Sequence, residues 1–96
     1  MTDISEIKKQ LQPIAVQYGL RKVFLFGSYA KGTQTGESDV DLLIEKGAPL
    51  SLLQLSGFLQ DASEALGMDV DVVTTTGIEE SFRETIRETE VLIYEE

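Results

Sequence analysis

The sequence predicts an α/β (α+β) domain, a small mixed β-sheet with helices packed on it, in the order αβαβαβα. Three observations carry that reading. Apolar residues recur at helical spacing in three segments, and three short aliphatic, β-branched runs read as buried strands. Residues 40–74 form a strand–helix–strand unit, the signature of a crossover between parallel strands. At 96 residues the chain is near the common size for a single core, so 1–96 is read as one domain.

The first segment places Ile4, Ile7, Leu11, Ile14, Ala15 and Tyr18 on one helical face. Thr2 is its expected cap, Asp3 and Glu6 suit the positive end of its dipole, and Gly19 ends it. Pro13 lies inside the pattern and should kink or interrupt the helix. Val23 to Phe26 is the first strand, followed by Gly27-Ser28 and a turn into a short helix at about Tyr29–Gly32. The longest irregular piece is the turn around Thr33–Ser38. Val40 to Glu45 is the second strand and Asp69 to Thr74 the third.

Between the last two, Ser51-x-x-Gln54 forms a capping box, Leu50 and Leu55 a hydrophobic staple, and Gly67 a C-terminal stop. Leu52, Leu55, Leu59, Ala62 and Leu66 line the expected buried face of that helix. A last helix is expected from a second box, Thr76-x-x-Glu79, burying Ile78, Phe82 and Ile86. Val91 to Tyr94 reads either as a short terminal strand or as the end of that helix.

Composition excludes several functions. Seventeen acidic residues against eight basic give a net charge of −9, and no basic cluster exceeds Lys8-Lys9. A nucleic-acid grip needs several cations on one face, so a nucleic-acid acceptor is not expected; the acidic surface favours a basic partner protein, and solubility alone also accounts for it. The chain has neither cysteine nor histidine, which removes disulfides, His-ligated zinc and an imidazole base. No apolar stretch approaches the ~20 residues that cross a bilayer, and Met1 to Glu6 lacks the order of a signal peptide. A cytoplasmic location is expected.

The chemistry gathers at one end of the expected sheet. The short link from the first strand to the second permits an antiparallel pair, which sets Gly27-Ser28 beside Asp39. The parallel third strand brings Asp69 and Asp71 to the same edge. Residues two apart on a strand share a face, so Asp39 pairs with Asp41 and Asp69 with Asp71. Clustered carboxylates repel unless a cation neutralises them, and Mg²⁺ takes one or two carboxylates plus substrate phosphates. Gly27 lets a ligand approach the backbone, the Ser28 hydroxyl can donate to a phosphate oxygen, and Lys31 adds a point charge. Arg83 and Arg87, one turn apart, can reach a nucleotide or pair with Glu79 and nearby acids. Alone, Gly-Ser after a strand is an ordinary turn and Asp-x-Asp an ordinary solvated strand edge. Their combination, with a later acid on a parallel strand, points to a phosphate-and-metal site.

The run Gly27-Ser28, ten residues, then Asp39-Val40-Asp41-Leu42-Leu43-Ile44 resembles the signature of the nucleotidyltransferase superfamily related to DNA polymerase β. The short length, Pro49-Leu50-Ser51-Leu52-Leu53, Val70-Asp71-Val72-Val73-Thr74 and Val91-Leu92-Ile93-Tyr94-Glu95 resemble its minimal nucleotidyltransferase (MNT) branch. The resemblance implies a nucleotidyltransferase fold, ATP as substrate and two Mg²⁺ ions. Gly27 and Ser28 would hold the triphosphate, with Lys31 nearby, and Asp39 and Asp41 would bridge the metals. Asp71 would be the third catalytic carboxylate, with Asp69 its rival on the same face. It further implies an antitoxin that attaches AMP to a hydroxyl, typically tyrosine, of a HEPN-family ribonuclease toxin. The alternative is an antitoxin that neutralises its toxin by binding alone. Modification of a small molecule would need an acceptor pocket that so short a chain has little material to build. The family more often carries arginine where Lys31 stands, so a bidentate phosphate contact is lost.

Overall fold

The computed structural model describes residues 4–32, 39–47, 50–75 and 79–96. Eight elements follow one another: α1 (Ile4–Gln17), β1 (Leu20–Phe26), α2 (Ser28–Lys31), β2 (Val40–Lys46), α3 (Leu52–Leu66), β3 (Val70–Thr74), α4 (Glu80–Thr89) and β4 (Val91–Glu95). The observed order therefore ends on a strand and extends the expected αβαβαβα by one element. The four strands form one sheet in the order β3-β2-β1-β4. β1 is antiparallel to both β2 and β4, and β2 is parallel to β3.

One face of the sheet is covered by α1 and α3. Ile7, Leu11 and Ala15 of α1 and Phe58 and Ala62 of α3 close over Val23, Leu25, Val40, Leu42, Ile44 and Ile93. Each is fully buried, contributing about 1.5–3 kcal/mol per large side chain through loss of apolar surface to water. Tyr18 ties the two helices, donating to Asp61 Oδ2 at 2.8 Å while its ring meets Phe58 edge-on at 5.8 Å. The opposite face carries the alternate residues, Phe24 and Phe26 of β1 with Asp41 and Leu43 of β2 as their cross-strand neighbours. α4 lies over this second face. Phe82 meets Phe26 edge-on at 6.1 Å, and the Arg83 guanidinium stands 5.6 Å over the Phe24 ring.

The structure departs from the expectations at five places. α1 runs through Pro13 without a break. The ring removes a hydrogen bond to the Lys9 carbonyl, but both residues face solvent, where water satisfies the freed oxygen. β1 begins three residues earlier than Val23. Its charged start is accommodated by ion pairs, Arg21 to Glu45 at 3.6 Å and Lys22 to Glu95 at 3.4 Å.

In α3 the capping box forms in both directions, Gln54 N–H to Ser51 Oγ at 3.1 Å and Ser51 N–H to Gln54 Oε1 at 2.9 Å. Yet Leu52 is 80% exposed and Phe58 fills the core instead. Six residues separate them, which places Leu52 about 120° around the helix from Phe58. Leu55, Leu59 and Leu66 flank the core as expected. In α4 the N-cap is Glu79, whose own side chain makes no capping hydrogen bond. Glu79 therefore stands at the cap and not at the third helical position that the expected second box requires. Thr76 and Ile78 lie outside the described residues, as do Thr2, Asp3 and the Thr33–Ser38 turn. Ile86 is buried as expected, while Phe82 remains 44% exposed. Among the described residues no helix is long and apolar enough to cross a membrane.

Candidate active site

The site begins at the last residue of β1. Phe26 leads into Gly27, whose φ of 78° and ψ of −153° only glycine adopts readily. The chain then turns into α2, where Lys31 N–H donates to Gly27 O at 3.1 Å. Gly27, at the N-cap, has no side chain to offer the first amides of this turn. Tyr29 is buried and pins the turn to the core, leaving Ser28 half-buried and Lys31 exposed.

Gly27 has no room for a side chain. A Cβ there would lie 3.2 Å from Asp41 Cγ and closer still to Asp41 Oδ2. The glycine turn and the second acid of the Asp-x-Asp pair are thus in direct apposition, because Phe26 and Asp41 are cross-strand partners. On the other flank, Asp41 is in register with Asp71 across the parallel β2–β3 pair. Parallel neighbours in register point the same way, so both carboxylates stand on the α4 face while Val40 and Val70 enter the core. A hydrogen bond from Val40 N–H to Asp69 O, 3.0 Å, locks the two acid-bearing strand starts together.

Charge accumulates at Asp41. Its carboxyl is raised above the ordinary aspartate value, first by partial burial, then by Asp71, then by Asp39. Each cause disfavours the ionised form, so a cation near Asp41 relieves all three. The carboxylates that raise it are Asp71, its in-register neighbour, and Asp39. Both flanking acids are exposed. Among the described residues no three acidic side chains are already gathered into a ready-made metal cage. The donor set nevertheless fits a hard ion. It offers oxygen only, from a chain without cysteine or histidine, and Mg²⁺ needs just one or two carboxylates when phosphate supplies further ligands.

The structure also sorts the two arginines. Arg83 is tied to Glu90 at 2.6 Å, seven residues along α4, and not to Glu79. With its ring contact to Phe24 it braces α4 against the sheet. Arg87 stays exposed. The sequence does not mark Phe82 as a site residue, because its spacing of four from Ile86 reads as one buried stripe.

The nucleotidyltransferase domain family model matches residues 3–94. The chain belongs to this family. A Methanocaldococcus jannaschii protein named as a candidate protein adenylyltransferase, MJ0435, is 38% identical over 84 residues, spanning 88% of this chain and 90% of that one. Among solved structures, a toxin–antitoxin with AMP-PNP superposes with a TM-score of 0.81 at 22% identity, over 93% of this chain and 73% of that one. An MNT antitoxin in complex with a tri-AMPylated HEPN toxin of Shewanella oneidensis gives 0.75 at 17%, over 97% and 73%. These two likenesses carry the fold, and the nucleotidyltransferase domain here has the architecture of both.

Proposed function

We propose that this nucleotidyltransferase transfers AMP from ATP to a tyrosine hydroxyl of a HEPN-family toxin and so acts as its antitoxin. The observation that carries the reading is the apposition of Gly27 to Asp41, with Asp71 and Asp39 both loading charge onto that carboxyl. Membership of the family, the name borne by the M. jannaschii relative and the AMPylated toxin complex among the structural neighbours support it.

In this reading Gly27 and the α2 turn admit the triphosphate to the backbone, and the Ser28 hydroxyl donates to one of its oxygens. Lys31 adds a positive charge at the exposed rim. Asp39, Asp41 and Asp71 would hold Mg²⁺, which supplies charge neutralisation and acidifies a bound hydroxyl. The tyrosine oxygen attacks the α-phosphorus, the bond from that phosphorus to the β-bridging oxygen breaks, and pyrophosphate leaves. The phenolic proton passes to solvent. The acidic surface, −9 overall, suits approach by a basic RNA-cleaving partner.

The test mixes the purified protein with labelled ATP, Mg²⁺ and a purified HEPN-family toxin from the same organism, comparing wild type with D39N/D41N. Label on the wild-type partner, lost in the variant, is the expected result. A stable complex that carries no label would establish neutralisation by binding alone.

A further inference from the structure

We infer that Phe82 is the platform on which the nucleobase of the bound nucleotide stacks. The inference rests on the nucleotide reading above and adds to it a residue that binds the nucleoside part. Phe82, 44% exposed, is the one aromatic ring among the large hydrophobic side chains left exposed in the described residues. Its place is nonetheless fixed. The ring is held edge-on by Phe26 at 6.1 Å, and Phe26 is the cross-strand partner of Asp41. The next residue, Arg83, anchors the same turn of α4 through Phe24 and Glu90. An uncovered aromatic ring therefore stands on the carboxylate face, one ring beyond the residue beside Asp41.

That separation matches a nucleotide. Cross-strand neighbours lie ~5 Å apart, and one aromatic contact adds a similar step. With the triphosphate on the Gly27-Ser28 turn, beside the Asp41 carboxylate, the sugar spans the Phe26 edge and the base reaches Phe82. Stacking on a ring tolerates any base, so Phe82 supplies affinity for a nucleoside part and little choice between purines.

The chain contains no tryptophan, so F82W places a single indole at the site. With Mg²⁺ present, AMP-PNP quenches its fluorescence, and inorganic tripolyphosphate, which has no base, does not. By calorimetry F82A weakens AMP-PNP binding roughly 5- to 20-fold while F82Y preserves it. Tripolyphosphate binds wild type and F82A alike, which also shows that the variant is folded. Equal AMP-PNP affinity in F82A and wild type overturns the inference, as does equal quenching by both probes. Loss of HEPN-protein binding in F82A with AMP-PNP binding intact also overturns it and assigns the ring to the protein interface. D41N separates the two readings. If AMP-PNP binding weakens in D41N but not in F82A, only the platform fails. If D41N and F82A both leave it unchanged, the triphosphate site fails as well.

Discussion

Replacing Gly27 by alanine tests the site where fold and chemistry meet. Two costs arise from one methyl group. The backbone at φ 78° and ψ −153° lies in a region almost reserved for glycine, and a residue with a Cβ there costs about 1–3 kcal/mol. The new Cβ also enters the space of the Asp41 carboxylate, 3.2 Å from Cγ, so that side chain must rotate away. For a domain of this size each kcal/mol lowers Tm by about 4–8 °C, so G27A should melt about 5–20 °C below wild type. Displacing Asp41 should reduce AMP transfer at least ~100-fold, the order of loss that a misplaced catalytic group produces. Gly32 is the internal control. It has φ 75°, and its added Cβ meets nothing within 4 Å. G32A therefore pays only the left-handed backbone cost, about 1–2 kcal/mol, and should keep near-normal transfer. Thermal melts and label transfer on both variants decide the matter. If G27A retains transfer at the level of G32A, the apposition of Gly27 and Asp41 is not part of the chemistry.

Four further outcomes follow. In metal-free protein the raised carboxyl of Asp41 means that the folded state holds its proton more tightly than the unfolded chain. Stability should therefore fall as pH rises from the ordinary aspartate value through the raised folded one, a slope that D41N flattens in melts across that range. Mg²⁺ should raise Tm in wild type and much less in D41N. S51A removes the acceptor for Gln54 N–H and should cost about 1 kcal/mol in urea denaturation, without affecting nucleotide binding. F58A empties the centre of the core and should cost about 3–5 kcal/mol, a large share of the ~5–15 kcal/mol typical of a domain.

Local signals were legible in the sequence and directional ones were not. The α3 capping box is read from four consecutive residues because both of its hydrogen bonds are made within them. The Gly27-Ser28 and Asp-x-Asp spacing is equally self-contained, and strand alternation alone puts Asp39 with Asp41. Taking β2 and β3 as parallel brings both Asp69 and Asp71 to that edge, and it is the observed register that sets Asp71 beside Asp41. What required the third dimension was the phase of a helix. Leu52 and Phe58 are similar in hydrophobicity, and only the position of the sheet decides which is buried. The same holds for Phe82, assigned to the core by its spacing and left uncovered by the crossing of α4. Arg83 had several acids within reach in sequence, and its choice of Glu90 depends on how α4 ends against β4. The start of β1 was missed because Arg21 and Lys22 look like loop residues until Glu45 and Glu95 are placed opposite them.

In the proposed reaction, the in-register pairing of Asp41 with Asp71 couples catalytic competence to correct assembly of the sheet. Sliding β3 by a single position would turn Asp71 inward among Val40 and Leu42 and push Val70 or Val72 outward, burying a charge and exposing a valine. Such a shifted chain could not be both well folded and inactive, since the error that spoils the acid cluster also spoils the hydrophobic interior. Quality control of the candidate nucleotide site is therefore built into strand alignment.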